Sequence, residues 1–388
     1  MEIKGIHYAT GEAIAVRTIQ GRIAGIEPLA ASEREREALP WLAPGLVDLQ
    51  VNGCGGLDFN TLPLEPETVL RITELLLSAG VTAYCPTLIT NSYEAITAAA
   101  AAIAEAARRY PSVSRGLAGI HLEGPFISPE DGPRGAHPRQ HVCPPDWERF
   151  CRWQEAAEGR IRVVTLSPEW PGACSFISRC AESGVLVSIG HTAATPEQIR
   201  AAVAAGARMS THLGNGAHLT LPRHPNYIWE QLAQEELYAC MIADGFHLPP
   251  SVLKVILKVK EKRTLLVSDA VSLSGMPPGY YELHIGGRVV LTPEGRLHLE
   301  GAPGLLAGSV KLPAQQIAHL LQHGLATLPE AWDCASTTPA KLLGLPAAAG
   351  LSVGAPADLA AFRIEGDGGG IRMLQTYKLG KPCMTARE

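Results

Sequence analysis

The stretch of sequence that decides the fold runs from residue 185 to residue 215 and reads VLVSIGHTAATPEQIRAAVAAGARMSTHLGN. Its opening aliphatic run predicts a buried strand that ends at His191, because such residues favour strands. The Thr-Pro pair at 195–196 supplies the N-cap and first position of a helix, and Gly206 ends this helix. A second short strand follows and ends at His212. The stretch therefore predicts a strand–helix–strand unit with one histidine after each strand.

The two histidines of this unit are candidate metal ligands. In a parallel strand–helix–strand unit, the carboxyl ends of both strands lie at one edge of the sheet. His191 and His212 would then lie on neighbouring strands at that edge, where neutral imidazoles suit Zn²⁺ or a similar ion. The alternative is that they are unrelated histidines in surface loops, which commonly expose polar residues.

Composition and charge exclude several classes of protein. The 388 residues are 46% hydrophobic and 18% charged, which is enough for one large α/β domain and a smaller one. The net charge is −5 and Lys and Arg form no run, so we expect no nucleic-acid or membrane partner. The first residues do not resemble a signal peptide. The nine cysteines are dispersed and form no Cys-x-x-Cys pair, which predicts reduced thiols and a cytoplasmic location.

The rest of the chain repeats the alternation of strand and helix. Together with the two strands of this unit, at 185–189 and 207–211, the predicted strands are 41–52, 81–85, 117–120, 161–166, 237–242 and 264–267. Such alternation indicates an α/β protein with a parallel sheet that helices cover. At this strand count and chain length, a (β/α)₈ TIM-like barrel is the leading expectation, and an open doubly wound sheet is the alternative.

The two ends of the chain predict a second, smaller domain. Residues 1–43 and 347–388 contain short strand-like runs, and we expect them to pair in a small β-sandwich domain. Residues 44–346 would then form the barrel, inserted between these two segments. Within the barrel segment, the short polar and apolar alternations of residues 281–299 interrupt the rhythm and indicate a β-hairpin excursion.

Polar residues follow several of the predicted strands, where a barrel gathers side chains at one mouth. They are Gln50, Asn52, His121, Glu123, His191, His212, Asp244, His247 and Asp269. One carboxylate and two imidazoles with an open position for water form the ligand pattern of a catalytic zinc site. Asp269 follows a buried strand and is placed to accept a proton from water. Taken alone, any of these acids could instead be a helix cap or a hydrogen-bond partner.

Seven segments of the chain occur in the order typical of one enzyme family. They are GLVDLQVNGCGG at 45–56, HLEGPF at 121–126, GHT at 190–192, THLGN at 211–215, ADGFH at 243–247, SDA at 268–270 and LAGS at 306–309. With GAPADL at 354–359, they resemble the N-acetylglucosamine-6-phosphate deacetylases of the amidohydrolase superfamily. The resemblance implies hydrolysis of the N-acetyl amide of N-acetylglucosamine 6-phosphate, which gives glucosamine 6-phosphate and acetate.

The resemblance also implies roles for individual residues. Glu123, His191 and His212 would hold the metal, and Asp269 would be the general base and then the general acid. The residues that it places against the substrate are Ala136, His137, Asn215, Gly216, Arg223, Asp244, Gly245, Phe246, His247, Leu306, Ala307 and Gly308. It further implies a homodimer in which His or Arg residues reach across the interface.

The first barrel strand favours one metal ion per chain. Superfamily members with two metals often carry His-x-His there, whereas this chain has Gln50-Val-Asn52. Neutral amides are poor ligands for a transition metal. We therefore expect a single divalent ion, with Gln50 supporting a water bound to it. Zn²⁺ is the first choice, and Fe²⁺, Co²⁺ or Mn²⁺ would suit the same ligands.

The segment after the second histidine departs from the family pattern around the phosphate. Asn215 and Arg223 keep the expected places, whereas His218 and His224 do not match, and Arg134 is an added residue in the preceding loop. Arg is a good bidentate phosphate partner, so phosphate binding could be preserved by another route. Arg223 could also be a solvated residue that only shapes its loop.

Other functions remain open at this point. The alternatives are a related amidohydrolase that acts on another N-acyl amino sugar, an N-acyl amino acid or a cyclic amide. A non-catalytic sugar-binding protein is a further alternative, which the complete set of candidate ligands and base disfavours.

Overall fold

The computed structural model describes residues 1–283, 287–366 and 370–383. Parts of the predicted terminal domain, at 367–369 and 384–388, lie outside these ranges. Within the described ranges, no helix combines the length and the apolar character that crossing a bilayer requires.

Eight parallel strands form the predicted barrel. In chain order, barrel strands 1 to 8 are Leu46–Val51, Val81–Ile89, Ile120–Glu123, Ile161–Leu166, Leu186–Ile189, Met209–Ser210, Tyr238–Met241 and Thr264–Leu266. Consecutive strands pair with each other. The segment after strand 8 returns to strand 1, where Asp269 N donates to Gln50 O at 2.9 Å and Ala270 bridges Val51. The barrel prediction is therefore confirmed, and an open doubly wound sheet is excluded.

Helices alternate with the barrel strands and cover them. The α-helices of the described residues are Glu33–Ala38, Pro66–Ser78, Tyr93–Arg109, Pro111–Gly116, Trp147–Ala156, Ala173–Glu182, Pro196–Ala205, Tyr227–Ala233, Pro250–Lys260, Pro313–Gln322, Leu328–Cys334 and Thr337–Leu342. Short 3₁₀ turns lie at Arg139–His141, Glu261–Arg263 and Pro346–Ala349.

The helix between the two histidine strands begins and ends where its sequence predicts. Thr195 and Gln198 form a capping box, in which Gln198 N donates to Thr195 Oγ1 at 3.3 Å and Thr195 N donates to Gln198 Oε1 at 2.8 Å. Gly206 ends the helix with a φ of 118°. The following strand is shorter than predicted, since only Met209–Ser210 is extended and paired.

The run at 41–52 is two strands and not the single strand that its apolar character predicts. Trp41–Pro44 belongs to the terminal sheet, and Leu46–Val51 to the barrel. Gly45 lies between them, and this position requires glycine because a Cβ here would lie 2.2 Å from Thr82 Oγ1. The backbone N of Gly45 donates to Asp358 O at 2.8 Å, which joins the chain ends at this point.

The two ends of the chain form one seven-stranded sheet. Its strands are Glu2–His7, Ala13–Ile19, Arg22–Pro28, Trp41–Pro44, Leu359–Glu365, Gly370–Lys378 and Lys381–Pro382. Buried Ile3, Val16, Ile23, Leu42 and Leu359 form its core. The pairing of both termini in one β unit is confirmed, whereas the exact domain limits of 43/44 and 346/347 stay a prediction.

A four-stranded antiparallel sheet replaces the predicted hairpin excursion. Its strands are Gly279–Leu283, Gly287–Leu291, Leu297–Leu299 and Ala302–Leu306. We call this unit the hairpin sheet. It extends beyond both limits of the predicted segment because Leu273, Val289, Leu291, Leu297 and Val310 give it an apolar cluster of its own. A separate two-stranded ribbon joins Gly53–Cys54 to Leu57–Asp58.

Candidate active site

Three side chains converge at the carboxyl ends of the barrel strands. Glu123 ends strand 3, while His191 and His212 follow strands 5 and 6. The two Nε2 atoms lie 3.0 Å apart, and Glu123 Oε1 lies 3.1 Å from His212 Nε2 and 3.3 Å from His191 Nε2. All three residues are buried. The structure thus brings the predicted ligand set together.

The backbone turns these side chains inward through strained conformations. The φ angles of His191, His212 and Asp269 are 49°, 27° and 46°, in the left-handed region that residues other than glycine seldom adopt. Such strain concentrates at functional sites, where surrounding packing holds it in place. The apolar strand sequences gave no signal of this feature.

The donor set fits a divalent cation. His191 Nδ1 donates to Pro133 O at 2.8 Å, which leaves the Nε2 lone pair directed at the cluster. Burial alone would raise the pKa of Glu123, but hydrogen bonds to His191 and His212 and their charges hold it well below its usual range. An ionised carboxylate oxygen and two imidazole nitrogens within 4.8 Å of one another form a typical three-ligand site for Zn²⁺ or a related ion.

Asp269 lies beside this cluster and is held by two amides. Gln50 Nε2 donates to Asp269 Oδ1 at 3.1 Å, and Asn52 Nδ2 donates to the same oxygen at 2.9 Å. Among the described residues, none donates to Oδ2, which is therefore the oxygen available for a proton. Burial, and next the charge of Glu123, raise the pKa of Asp269 to about 6.

Gln50 joins the general-base candidate to the metal ligands. Its Nε2 also donates to Glu123 Oε1 at 2.9 Å, so a single amide holds both carboxylates. We also expect Gln50 to support a water bound to the metal, and this role stays a prediction. The sequence predicts Asn52 only as a strand-end amide that does not hold a second metal, and the structure adds its contact with Asp269.

Asp48 is a positioning residue that the sequence argument did not single out. Its Oδ1 accepts from Ser268 N at 3.1 Å and from Gln50 N at 3.2 Å, which ties the two ends of the barrel together next to Asp269. Burial raises the pKa of Asp48 to about 7. The signal in the sequence is an acid inside the otherwise apolar run at 46–51.

Two more histidines near the cluster make hydrogen bonds to the protein. His121 Nδ1 donates to Leu49 O at 2.9 Å, and its Nε2 pairs with Thr165 Oγ1 at 2.7 Å, so neither nitrogen is open to a metal. The ring of His137 lies against that of His191, with ring centroids 4.4 Å apart. Burial lowers the pKa of His137 to about 3, so this ring is neutral.

A cavity of about 670 Å³ opens over the cluster, a volume typical of small-molecule sites. Besides Glu123, His191, His212 and Asp269, its wall contains nine of the predicted substrate residues. These are Ala136, His137, Asn215, Gly216, Phe246, His247, Leu306, Ala307 and Gly308. Gly216 has to be glycine, because a Cβ there would lie 2.7 Å from His191 Nδ1.

Three predicted substrate residues are outside this wall. Asp244 lies behind His247, where its Oδ2 accepts from His247 Nδ1 at 2.7 Å. The pKa of Asp244, which burial alone would raise, is lowered by this partner. Gly245 forms the turn between them. Arg223 is exposed, and its contact with a substrate stays a prediction.

His218 and Arg134, which depart from the family pattern, have defined partners in two loops at the mouth of the barrel. His218 lines the cavity and joins the loops, since its Nδ1 lies 3.0 Å from Tyr227 Oη and its Nε2 lies 3.0 Å from Glu130 Oε2. Arg134 pairs with Asp131 and donates to His137 O at 2.6 Å. Arg134 therefore stiffens its own loop, and its guanidinium is not part of the cavity wall.

A model of the amidohydrolase family matches residues 41–383, so the chain belongs to this family. Its fold and site are those of a hydrolase that acts on carbon–nitrogen amide bonds. The family resemblance that the seven sequence segments indicate is confirmed.

Within the family, the chain is similar to deacetylases of N-acetyl amino sugar phosphates. It is 33% identical to N-acetylglucosamine-6-phosphate deacetylase of Bacillus subtilis, with 82% of this chain and 79% of that one covered. It is 31% identical to N-acetylgalactosamine-6-phosphate deacetylase of Escherichia coli O157:H7, with 85% of both chains covered. The structure of N-acetyl-D-glucosamine-6-phosphate deacetylase from Mycobacterium smegmatis is similar with a TM-score of 0.86 and 28% identity, and the match covers 99% of this chain and 100% of that one.

Proposed function

We propose that this protein hydrolyses the N-acetyl amide of N-acetylglucosamine 6-phosphate and releases acetate and glucosamine 6-phosphate. The observation that carries the proposal is the juxtaposition of a three-ligand cation site with Asp269, whose Oδ2 is available, inside a cavity of about 670 Å³. A relative from Mycobacterium smegmatis, 28% identical, is known in complex with N-acetyl-D-glucosamine 6-phosphate.

The cofactor is one divalent ion per chain, held by Glu123, His191 and His212, with Zn²⁺ as the first choice and Fe²⁺, Co²⁺ or Mn²⁺ as alternatives. When bound, such an ion polarises the amide carbonyl and makes water a stronger acid. Gln50 and Asn52 are not expected to hold a second ion, since both side chains are engaged with Asp269.

Asp269 is the residue that transfers protons in the proposed reaction. In the proposed reaction, its Oδ2 accepts a proton from the attacking water and later gives it to the leaving amine. Gln50 and Asn52 hold Oδ1 and so fix the direction of Oδ2. His247 donates from Nδ1 to Asp244, so its Nε2 lone pair can accept a hydrogen bond from a sugar hydroxyl.

A second copy of the chain is the proposed partner. Leu219 is 92% exposed and Trp229 55% exposed, and Val252, Val255 and Val259 are exposed on the neighbouring helix Pro250–Lys260. An exposed apolar surface of this kind favours association. We infer a homodimer in which Arg223 contacts the substrate of the other subunit. A sedimentation-equilibrium experiment that gives the mass of one chain at micromolar concentration would contradict this inference.

The nine free cysteines support a cytoplasmic location.

A substrate panel tests the proposed function. The protein loaded with Zn²⁺ is assayed for acetate release from N-acetylglucosamine 6-phosphate, N-acetylgalactosamine 6-phosphate, plain N-acetylglucosamine and an N-acetyl amino acid. We expect the highest kcat/KM for N-acetylglucosamine 6-phosphate. A preference for the galacto sugar would move the assignment to another amino sugar, and a preference for the amino acid would overturn the sugar assignment altogether.

A further inference from the structure

The side chain of Glu169 lies where three loops meet at the mouth of the barrel. We call these segments, which follow barrel strands 3, 4 and 5, loop 3 (124–146), loop 4 (167–172) and loop 5 (190–195). Loop 3 follows the ligand candidate Glu123, and loop 5 contains the ligand candidate His191. Glu169 is a partly buried residue of loop 4. It lies outside the described wall of the active-site cavity and is not one of the clustered ligands.

The carboxylate of Glu169 accepts one hydrogen bond from each of the three loops. Ser128 Oγ of loop 3 donates to its Oε1 at 2.9 Å. Ala193 N of loop 5 donates to Oε2 at 2.7 Å, and Ser167 Oγ of loop 4 donates to the same oxygen at 2.6 Å. Hydrogen bonds to an ionised acceptor are stronger than those between neutral groups. One side chain therefore ties the loops together.

The same hydrogen bonds lead directly to His191. Ser128, whose side chain contacts Glu169, also donates from its backbone N to His191 O at 2.8 Å. Thr192 Oγ1 lies 2.8 Å from Ser167 Oγ. The single hydroxyl proton of Ser167 points to Glu169, so Thr192 is the donor in this pair. His191 and the two residues after it are thus each held by Glu169 or by one of its partners.

The backbone of His191 needs such support. Its φ of 49° is costly for a residue other than glycine and persists only where the surroundings hold it. Its ring is held from loop 3 as well, since Nδ1 donates to Pro133 O at 2.8 Å. A shift of loop 5 relative to loop 3 would therefore move the Nε2 atom away from Glu123 Oε1, which lies 3.3 Å from it.

We propose that Glu169 is a positioning residue for the cation site. By tying loop 5 to loop 3, it holds His191 in the conformation that directs Nε2 at the ion. This inference rests on the proposed cation site and names a residue that aligns it without touching the ion or the substrate.

The affinity of metal-free protein for Zn²⁺, measured by competition with a chromophoric chelator, tests this role. Loss of an outer partner of a metal ligand costs about 10- to 100-fold in affinity, and we expect a loss of this size in Glu169→Ala. Glu169→Gln should lose less, because one amide oxygen can still accept from Ala193 and Ser167. With Co²⁺ as the probe, the absorption bands of Glu169→Ala should differ from those of wild type, because they report ligand geometry.

The matched control is Glu182→Ala, an exposed acid at the end of the next helix, Ala173–Glu182, and its Zn²⁺ affinity should equal that of wild type. A lower melting temperature of metal-free Glu169→Ala with unchanged Zn²⁺ affinity and Co²⁺ spectrum would overturn the inference, since Glu169 would then only stabilise the loops.

A second variant decides the question if circular dichroism shows that Glu169→Ala does not fold. Ser128→Ala/Ser167→Ala removes two of the three donors to the carboxylate and should also weaken Zn²⁺ binding, whereas wild-type affinity would refute the inference. A wild type that binds no Zn²⁺ would contradict the proposed cation site and this inference with it. Wild-type affinity in the variants alone would contradict only the role of Glu169.

Discussion

Asp269→Asn is expected to lower kcat/KM for N-acetylglucosamine 6-phosphate by about 10²- to 10⁴-fold or more. Removal of a general base has an effect of this size, and here the same group also protonates the leaving amine. Asn is nearly isosteric and can keep the contacts with Gln50 and Asn52, but it cannot accept a proton from water. The metal content should be unchanged, because Asp269 is not among the three clustered ligand atoms.

The matched control for this variant is Asp146→Asn. Asp146 caps the helix Trp147–Ala156 on the surface, where Asn is an equally good N-cap, so activity should be unaffected. Activity of Asp269→Asn within a factor of about three of wild type would remove Asp269 from the proposed mechanism.

The pH dependence of the wild type gives a second readout of the same group. Asp269 can accept a proton only as a carboxylate, so activity falls as the pH drops through its pKa. Burial raises this pKa to about 6, and a bound cation favours the carboxylate and lowers it. The acid limb of the loaded enzyme is therefore expected below pH 6.

Glu123→Gln is expected to remove both the metal and the activity. The substitution keeps the shape of the side chain but replaces the only anionic ligand with a neutral amide, which binds transition metals poorly. Loss of an outer partner alone costs about 10- to 100-fold in metal affinity, so loss of a direct ligand should cost more. Elemental analysis after dialysis measures the metal, and circular dichroism checks the fold.

Glu130→Gln is the control for the ligand variant. Glu130 is an exposed acid of the same mouth region and pairs with His218, so this variant should retain its metal. Full metal content and activity in Glu123→Gln would show that the cation binds elsewhere.

The barrel could be predicted because each of its strands is buried on both faces. Such strands read as short, mainly apolar runs, as at Ile161–Leu166 and Leu186–Ile189. The requirement for glycine at Gly45 could not be predicted, because it depends on the close approach of Thr82 from the next strand. Contacts of this kind join residues that are distant in the sequence and leave no local pattern.

The candidate site was predictable in its residue types but not in its finer geometry. Strand ends place Glu123, His191 and His212 at one edge, and the structure brings them within 4.8 Å. Gln50 donates hydrogen bonds to both Glu123 and Asp269, and this arrangement depends on how the barrel closes. The contacts of Glu169 with three loops depend on how these loops pack, which the sequence pattern did not reveal.

The most direct test of the account is a titration of metal-free protein with Zn²⁺ while acetate release from N-acetylglucosamine 6-phosphate is followed. A single site at Glu123, His191 and His212 predicts that the rate rises linearly and reaches its plateau at one equivalent of Zn²⁺ per chain. A plateau only at two equivalents, or no acetate release at any metal concentration, would contradict the account.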